Sequence, residues 1–404
     1  MNESESKKQM MRELGFAEES LRMNNTVLCC TDIPRGYIGE LQAAYNPDSG
    51  VHYVWHTPDT ALGSIARTVV LKGSREEAGE ALRRYPLAGW WAEGVPQFVE
   101  MTGDGPVHLQ TREYSAESLY SRNGDPATGE ALARKRVVIA GCGSVGSQVA
   151  MHLARAGVKR FVLVDADCVE LHNLSRTFDR SMLGQFKTKA VAQSLQLISA
   201  QIVVDTFESD VQNVETSFYD LLVPGETLII GCADNRVCDE WLCRLAAQLR
   251  LDFMSAGFWP NAAVTENFVY RCGTEDHTYG CLLREAIIED ARAQHAANYV
   301  DAGSTARPNA GLGCNVQLGN SISAILALDM LMRGEAGYHA QLLPSLSSQM
   351  LLFACTTNPA LAGAEVGGWA PRPLWSQCCG LAPEEACACP GHDARPDTPR
   401  MTSL

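Results

Sequence analysis

Arg136-Val-Val-Ile-Ala140, then Gly141-Cys142-Gly143-Ser144-Val145-Gly146, then Ser147–Ala156: this stretch decides the fold. Consecutive apolar residues predict a buried strand, the glycines a turn, and the apolar spacing from Ser147 a helix that Gly157 stops. Gly-x-Gly-x-x-Gly between a strand and a helix is the setting in which a helix N-terminus receives a phosphate. Gly141 allows the tight turn, Gly143 lets backbone approach the phosphate, and Gly146 lets helix and strand pack closely. A second apolar strand, Phe161–Val164, ends in Asp165, 24 positions after Gly141, where a carboxylate can hold a ribose.

Outward from this core the pattern keeps alternating. A helix is expected over Thr188–Ser199, a strand over Ile202–Thr206, a helix near Val214–Leu222 and a strand over Thr227–Ile230. A helix over Arg236–Leu249 and a strand over Asp252–Ser255 come next. Such alternation predicts an α/β fold with a Rossmann-like, doubly wound, mostly parallel sheet. Further β-type runs lie at Ala262–Arg271 and Met350–Thr356, with a strongly apolar helix at Ser321–Arg333. Upstream, short β-type runs at Val27–Thr31, Val51–His56, Thr68–Lys72, Gln97–Met101 and Val107–Thr111 flank one helical stretch, Ser74–Arg84. The expected organisation is a smaller N-terminal α+β module over 1–112 for partner recognition or assembly. A nucleotide domain over 113–357 comes after it, with a crossover loop at about 271–313, then a Cys-rich tail over 358–404.

Composition bounds the function. The chain has 404 residues, 46% apolar and 20% charged, with a net charge of −14. That is globular, and too acidic for nucleic acid to be held on a broad basic surface. The longest apolar run, around Ile322–Met332, is interrupted by Asp329 and is too short for a membrane helix. The N-terminus has no signal-peptide core, and 15 cysteines without an export signal read as reduced thiols, metal ligands or nucleophiles of a cytoplasmic protein.

The glycine fingerprint alone suggests a dehydrogenase. The residues beyond it suit phosphoryl chemistry better. Asp165-Ala-Asp167-Cys-Val-Glu170-Leu-His-Asn173-Leu-Ser-Arg176 sets a fixed cation past the second strand, and Gly184-Gln-Phe-Lys187 adds another. A later strand ends in Ala233-Asp234-Asn235. Strand ends in such a sheet converge on one crevice. Two cations and a carboxylate around a nucleotide can neutralise phosphate charge and hold Mg²⁺.

With these motifs the chain resembles the ThiF/MoeB and ubiquitin-activating-enzyme superfamily of adenylating enzymes, over about Leu119–Gly334. The resemblance implies ATP and Mg²⁺, with Asp165 on the ribose and Asn173, Arg176 and Lys187 on the triphosphate. Asp167 and Asn235 stand in the same nucleotide motifs. Asp234 would bind Mg²⁺, and Lys189 is a rival to Lys187. Arg122, in Leu119-Tyr120-Ser121-Arg122, corresponds to an arginine that often reaches the neighbouring protomer's site, so a homodimer is implied. The substrate would be the C-terminal carboxylate of a ubiquitin-like or sulfur-carrier protein ending in Gly. A bacterial ubiquitin-like conjugation system, of a kind that includes antiviral defence, and a downstream conjugating enzyme are the implied setting.

Relatives often pass the acyl group to a cysteine. Cys314, beside a Gly/Pro/Asn-rich loop and near a helix start, is the candidate, with Cys281 as the alternative and Cys272 behind it. Cys142, Cys168, Cys232, Cys238 and Cys243 read as small packed hydrophobes. Relatives also carry a zinc on two Cys-x-x-Cys pairs. This chain departs from that pattern, although Cys378, Cys379, Cys387, Cys389 and His392 offer soft ligands for Zn²⁺. Four other readings stay open. One is adenylation of a ribosomal peptide in natural-product biosynthesis, with the N-terminal module gripping a leader. A tRNA-modifying relative is another, and the net charge of −14 weighs against it. The others are an NAD(P)-binding oxidoreductase and a scaffold that only binds nucleotide.

Overall fold

A computed structural model of the chain describes residues 26–30, 33, 35–46, 51–55, 66–102, 105–114, 119–123, 126–199, 201–259, 261–274, 276–288, 311–356 and 376–379. It divides into two compact units, Met1–Arg122 and Asn123–Leu404.

The first unit is a closed seven-stranded barrel. Its strands are β1 (Thr26–Cys30), β2 (Gly39–Asn46), β3 (Val51–Trp55), β4 (Ala66–Lys72), β5 (Leu87–Ala92), β6 (Val95–Thr102) and β7 (Gly105–Tyr114), in the order β1-β3-β2-β4-β5-β6-β7. Closure comes from β1 pairing in parallel with β7, which removes the open edges. Side-chain alternation divides the residues of β4: Val69 and Leu71 join Leu41, Val54, Phe98 and Leu109 inside, while Val70 packs with Ala78 and Leu82 of the helical segment outside. That helix, α1 (Arg75–Ala81), starts where Ser74 Oγ accepts the Glu77 N–H at 3.2 Å.

Two of these strands are not expected from the sequence. Strand β2, Gly-Glu-Leu-Gln-Ala-Ala-Tyr-Asn, is poor in β-branched residues and is held by pairing with β3 and β4. Strand β5 opens Leu-Ala-Gly, which has no β-branched residue, yet pairs on both sides with β4 and β6. Strand β7 also runs to Tyr114, past the expected module end at Arg112, and the compact unit ends at Arg122.

The second unit holds an eight-stranded sheet in the order β10-β9-β8-β11-β12-β13-β14-β15. The strands are β8 (Arg136–Ala140), β9 (Arg160–Val164), β10 (Val203–Phe207), β11 (Thr227–Gly231), β12 (Asp252–Phe258), β13 (Val264–Tyr270), β14 (Met350–Ala354) and β15 (Ser376–Cys379). From β10 to β12 all pairs are parallel; from β12 to β15 all are antiparallel. The fold is therefore the expected mostly parallel, Rossmann-like α/β sheet, with an antiparallel extension. Helices α2 (Pro126–Arg134), α3 (Gly146–Ala156), α4 (Lys187–Gln196), α5 (Ser217–Asp220), α6 (Arg236–Leu249), α7 (279–288) and α8 (Gly313–Leu331) accompany it. Each strand feeds both faces: Val137 and Ile139 of β8 pack with Val149 of α3 and Leu326 of α8, while Val138 and Ala140 pack with Leu242 of α6.

Helix α8 starts at Gly313, ahead of the expected Ser321; Val316, Gly319 and Asn320 in these added turns are buried, and that packing overrides the weak helix propensity of the Gly and Asn residues. Asp329, the charge that interrupts its apolar run, is wholly buried. Its carboxylate accepts the Tyr338 hydroxyl at 2.8 Å and the N–H groups of Gln341, Leu342 and Leu343 at 2.9, 2.6 and 2.8 Å. No helix among the described residues is long and apolar enough to cross a membrane. Asp329→Ala leaves three backbone donors unmet, so urea unfolding should show a loss of about 3 kcal/mol with an unchanged m-value; a wild-type midpoint would refute this account.

Candidate functional site

The chain runs β8, β9, β10 outward in one direction, then places β11 on the other side of β8. At such a switch point the loops leaving neighbouring strands diverge and leave a crevice. A cavity of about 550 Å³ lies there. Gly141, Gly143, Asp165, Asp167, Arg176, Lys187, Asp234 and Asn235 all line it.

The glycine turn is built by close approach. Gly141 has φ +98°, and a Cβ there would come within 2.6–2.7 Å of the Cys232 and Ala233 backbone. A Cβ at Gly146 would collide with the Gly141 carbonyl and the Ile139 side chain. At Gly143 an added Cβ would meet nothing within 4 Å among the described residues, because the turn faces the cavity. Val145, which begins helix α3, makes no side-chain cap bond. Among the described residues no acceptor meets the N–H groups of Gly143, Ser144 or Val145. Unmet donors at the positive end of an eleven-residue helix suit an anion.

Asp165 ties this turn to the end of β9. Its Oδ2 accepts the Cys142 N–H at 2.6 Å and its Oδ1 the Asp167 N–H at 2.8 Å. Burial pushes the Asp165 carboxyl above the usual carboxylate range, against the pull of these donors and of Lys187. Lys187 opens helix α4 and sets its ammonium 2.6 Å from Asp167 Oδ2. The lysine side chain is 13% exposed and the aspartate 71%, so the cation sits in the wall and its partner at the mouth. Lys189 instead reaches Thr206 at 2.7 Å and Glu208 at 3.1 Å, and does not line the cavity.

Arg176 follows the short 3₁₀ turn Leu171–Ser175 into the cavity wall. Asn173 does not line the cavity: its Oδ1 accepts the Glu170 N–H at 2.9 Å, closing that turn. Asp234 has a left-handed φ of +53°, which Asp tolerates better than most residues. Asn235 caps helix α6, its Oδ1 accepting the Val237 and Cys238 N–H groups at 3.0 and 3.1 Å. Next to it Arg236 makes a bidentate pair with Glu266 at 2.7 and 3.0 Å, and Tyr279 and Trp259 complete the cluster at 2.8 and 2.9 Å. Sequence reading missed this cluster, whose members lie on four separate segments. It also missed the cavity residues Ser209–Asn213, which convergence of strand ends could have found, since they follow β10.

Cys314 is exposed in the first turn of α8, beside Gly313, where a Cβ would lie 3.2 Å from the Ser175 carbonyl. Cys281 and Cys272 are half-buried, and Thr278 Oγ1 lies 3.4 Å from the Cys281 sulfur. Cys142, Cys232 and Cys243 are buried; Cys168 and Cys238 are half-buried. Burial pushes the Cys238 thiol up to about 12, which keeps it protonated and inert. Arg122 ends the first unit and is exposed. Of the tail residues, Cys378 and Cys379 are described only as backbone in β15, and Cys387, Cys389 and His392 lie outside the described residues. Among the described residues no group of three or more His, Cys, Asp or Glu side chains is arranged to hold a metal ion.

Residues 117–358 match the model of the ThiF family. The chain belongs to the ThiF family. Among curated proteins it is similar to "Ubiquitin-like modifier-activating enzyme 5" of Arabidopsis thaliana, 29% identical over 163 residues, covering 37% of this chain and 38% of that protein. The protein of the same name from Drosophila mojavensis is 33% identical over 143 residues, covering 33% and 36%. The matched part is thus about two-fifths of the length of these relatives. Among solved structures, E. coli MccB with MccA-N7isoASN superposes with a TM-score of 0.50 at 17% identity, over 69% of this chain and 75% of that one. At that identity the likeness speaks for the fold.

The turn geometry separates packing from ligand contact. Gly143→Ala should fold with a near-wild-type urea midpoint yet weaken ATP binding at least about tenfold, because its Cβ enters the space of the ligand. Gly146→Ala should lose folded protein outright. Equal nucleotide affinity in Gly143→Ala and wild type would contradict the assignment of this turn.

Proposed function

We propose that the protein adenylates the C-terminal carboxylate of a small ubiquitin-like or sulfur-carrier protein, using ATP. The observation that carries this reading is that Arg176, Lys187 and Asp234, far apart in sequence, line one cavity with the glycine turn. Family membership and the similarity to proteins named ubiquitin-like modifier-activating enzyme 5 support it.

In this reading the phosphates lie against the unmet N–H groups of the turn and Asp165 receives the ribose. One oxygen of the substrate carboxylate attacks the α-phosphorus; the bond from that phosphorus to the bridging oxygen breaks, and pyrophosphate leaves with the electron pair. Arg176 and Lys187 stabilise charge growing on the phosphate oxygens, Lys187 exchanging Asp167 for phosphate. Asp234 offers hard carboxylate oxygens on the cavity wall, which fits Mg²⁺, and such an ion would neutralise phosphate charge when bound. The acyl-adenylate is then open to a thiolate. Cys314 is the candidate: its sulfur bonds the acyl carbon, the acyl–oxygen bond breaks, and AMP leaves with that electron pair. We assign Arg122 to a partner protomer's site in a homodimer, and the tail cysteines with His392 to one structural zinc. The setting in this reading is the cytoplasm, within a bacterial ubiquitin-like conjugation pathway.

Partner-dependent exchange of labelled pyrophosphate into ATP tests the reaction. Exchange should appear with a Gly-ending carrier protein, and Arg176→Ala or Lys187→Ala should each slow it by about 10²–10³. Exchange with a short peptide alone would favour the ribosomal-peptide reading, and none with either substrate would sink both. For the thiol, a reductant-sensitive covalent adduct should vanish in Cys314→Ala and persist in Cys281→Ala; the reverse pattern moves the acceptor to Cys281.

A further inference from the structure

Helix α8 lies along the cavity wall. Val316 lines the cavity, and a Cβ at Gly319 would collide with the ring of Phe258, another lining residue. The next residue, Asn320, is wholly buried. Its Nδ2 donates to the Ser144 carbonyl at 2.9 Å, across 176 positions of sequence. A carbonyl takes only a donor, so this contact sets which way the amide faces. The other end, Oδ1, is buried and meets no donor among the described residues. An unmet buried acceptor is unfavourable, and an apolar side chain at this wholly buried position would avoid that cost. Core packing therefore does not account for an amide here.

The peptide plane does. The Ser144 carbonyl and the Val145 N–H belong to one trans peptide unit and face opposite ways. Holding the carbonyl toward Asn320 turns the Val145 N–H away from α8. The Gly143 carbonyl is held likewise, by the Ser147 N–H at 3.1 Å and its hydroxyl at 2.6 Å, which turns the Ser144 N–H outward. Among the described residues no atom lies within 4 Å of where a Cβ at Gly143 would stand, so none steadies the turn there.

We propose that Asn320 is a positioning residue that aims the N–H groups of the glycine turn at the polyphosphate of the nucleotide. This rests on the nucleotide reading of the cavity and deepens it: the phosphate seat is set by α8, the helix that carries Cys314.

The test is binding of a fluorescent ATP analogue to the full chain, with hydrogen exchange followed over 141–147. Asn320→Leu should stay folded, bind the analogue about tenfold more weakly and exchange faster in the turn. Ser323→Ala, which removes another wholly buried polar group of α8, should bind like wild type. Equal binding by Asn320→Leu and wild type overturns the proposal, as does equal weakening in Ser323→Ala. If Asn320→Leu does not fold, Asn320→Ser takes its place, and failure of both to fold makes Asn320 a fold residue only and overturns the positioning role. Wild type that binds the analogue but exchanges no pyrophosphate sinks the adenylation reading alone; wild type that binds no ATP analogue sinks both.

Discussion

One half-buried carboxylate joins the two turns from which the cavity is made. Asp165 stands at the end of β9 and accepts from the glycine turn after β8 and from the start of its own loop. Without it the Cys142 N–H would lose its partner, and the loop that leads to Arg176 and Lys187 would lose its origin. The cost of burying the charge shows in the upward push on its carboxyl, and two short charge-assisted bonds offset it. The turn can be this tight because Gly141 and Gly146 let backbone touch backbone.

The ion pairs of the unit divide by burial into those that hold and those that can let go. Arg236 and Glu266 form a bidentate pair whose remaining valences Tyr279 and Trp259 satisfy, so it fixes the start of α6 beside Asp234. Lys187 is paired with an aspartate that is 71% exposed. A pair screened by solvent on one side contributes little, so its cation can change partners at small cost. A cation that is sheltered but loosely paired is what a transient phosphate requires.

The cysteines sort the same way. Those packed in or beside the sheet behave as small apolar groups, and burial keeps Cys232 and Cys238 protonated. Cys314 is the exposed one among the cysteines whose side chains are described. Its helix also presents Val316 to the cavity and Asn320 to the glycine turn. A shift of α8 would therefore be felt at the thiol and at the glycine turn together.

The parallel half of the sheet was legible because its signals are local: apolar runs ending in Gly141, Asp165 or Asp234 mark buried strands and their carboxyl ends. The same locality brought Arg176 and Lys187 to notice, since they follow one strand at short range. Strand β2 was illegible, because pairing on both sides, and not the residues themselves, makes it a strand. The sequence set Asn173 beside Arg176 and Lys187 as a triphosphate contact, and kept Lys189 as a rival that spacing alone placed behind Lys187. Only the folded chain spends the Asn173 amide oxygen on closing its own turn and turns Lys189 toward Glu208. Asn320 reads as a polar interruption of an apolar helix until its partner 176 positions away is known. Periodicity and turn chemistry determine elements because they act over a few residues. Which polar groups meet depends on packing between segments distant in the chain, and that only the tertiary structure decides.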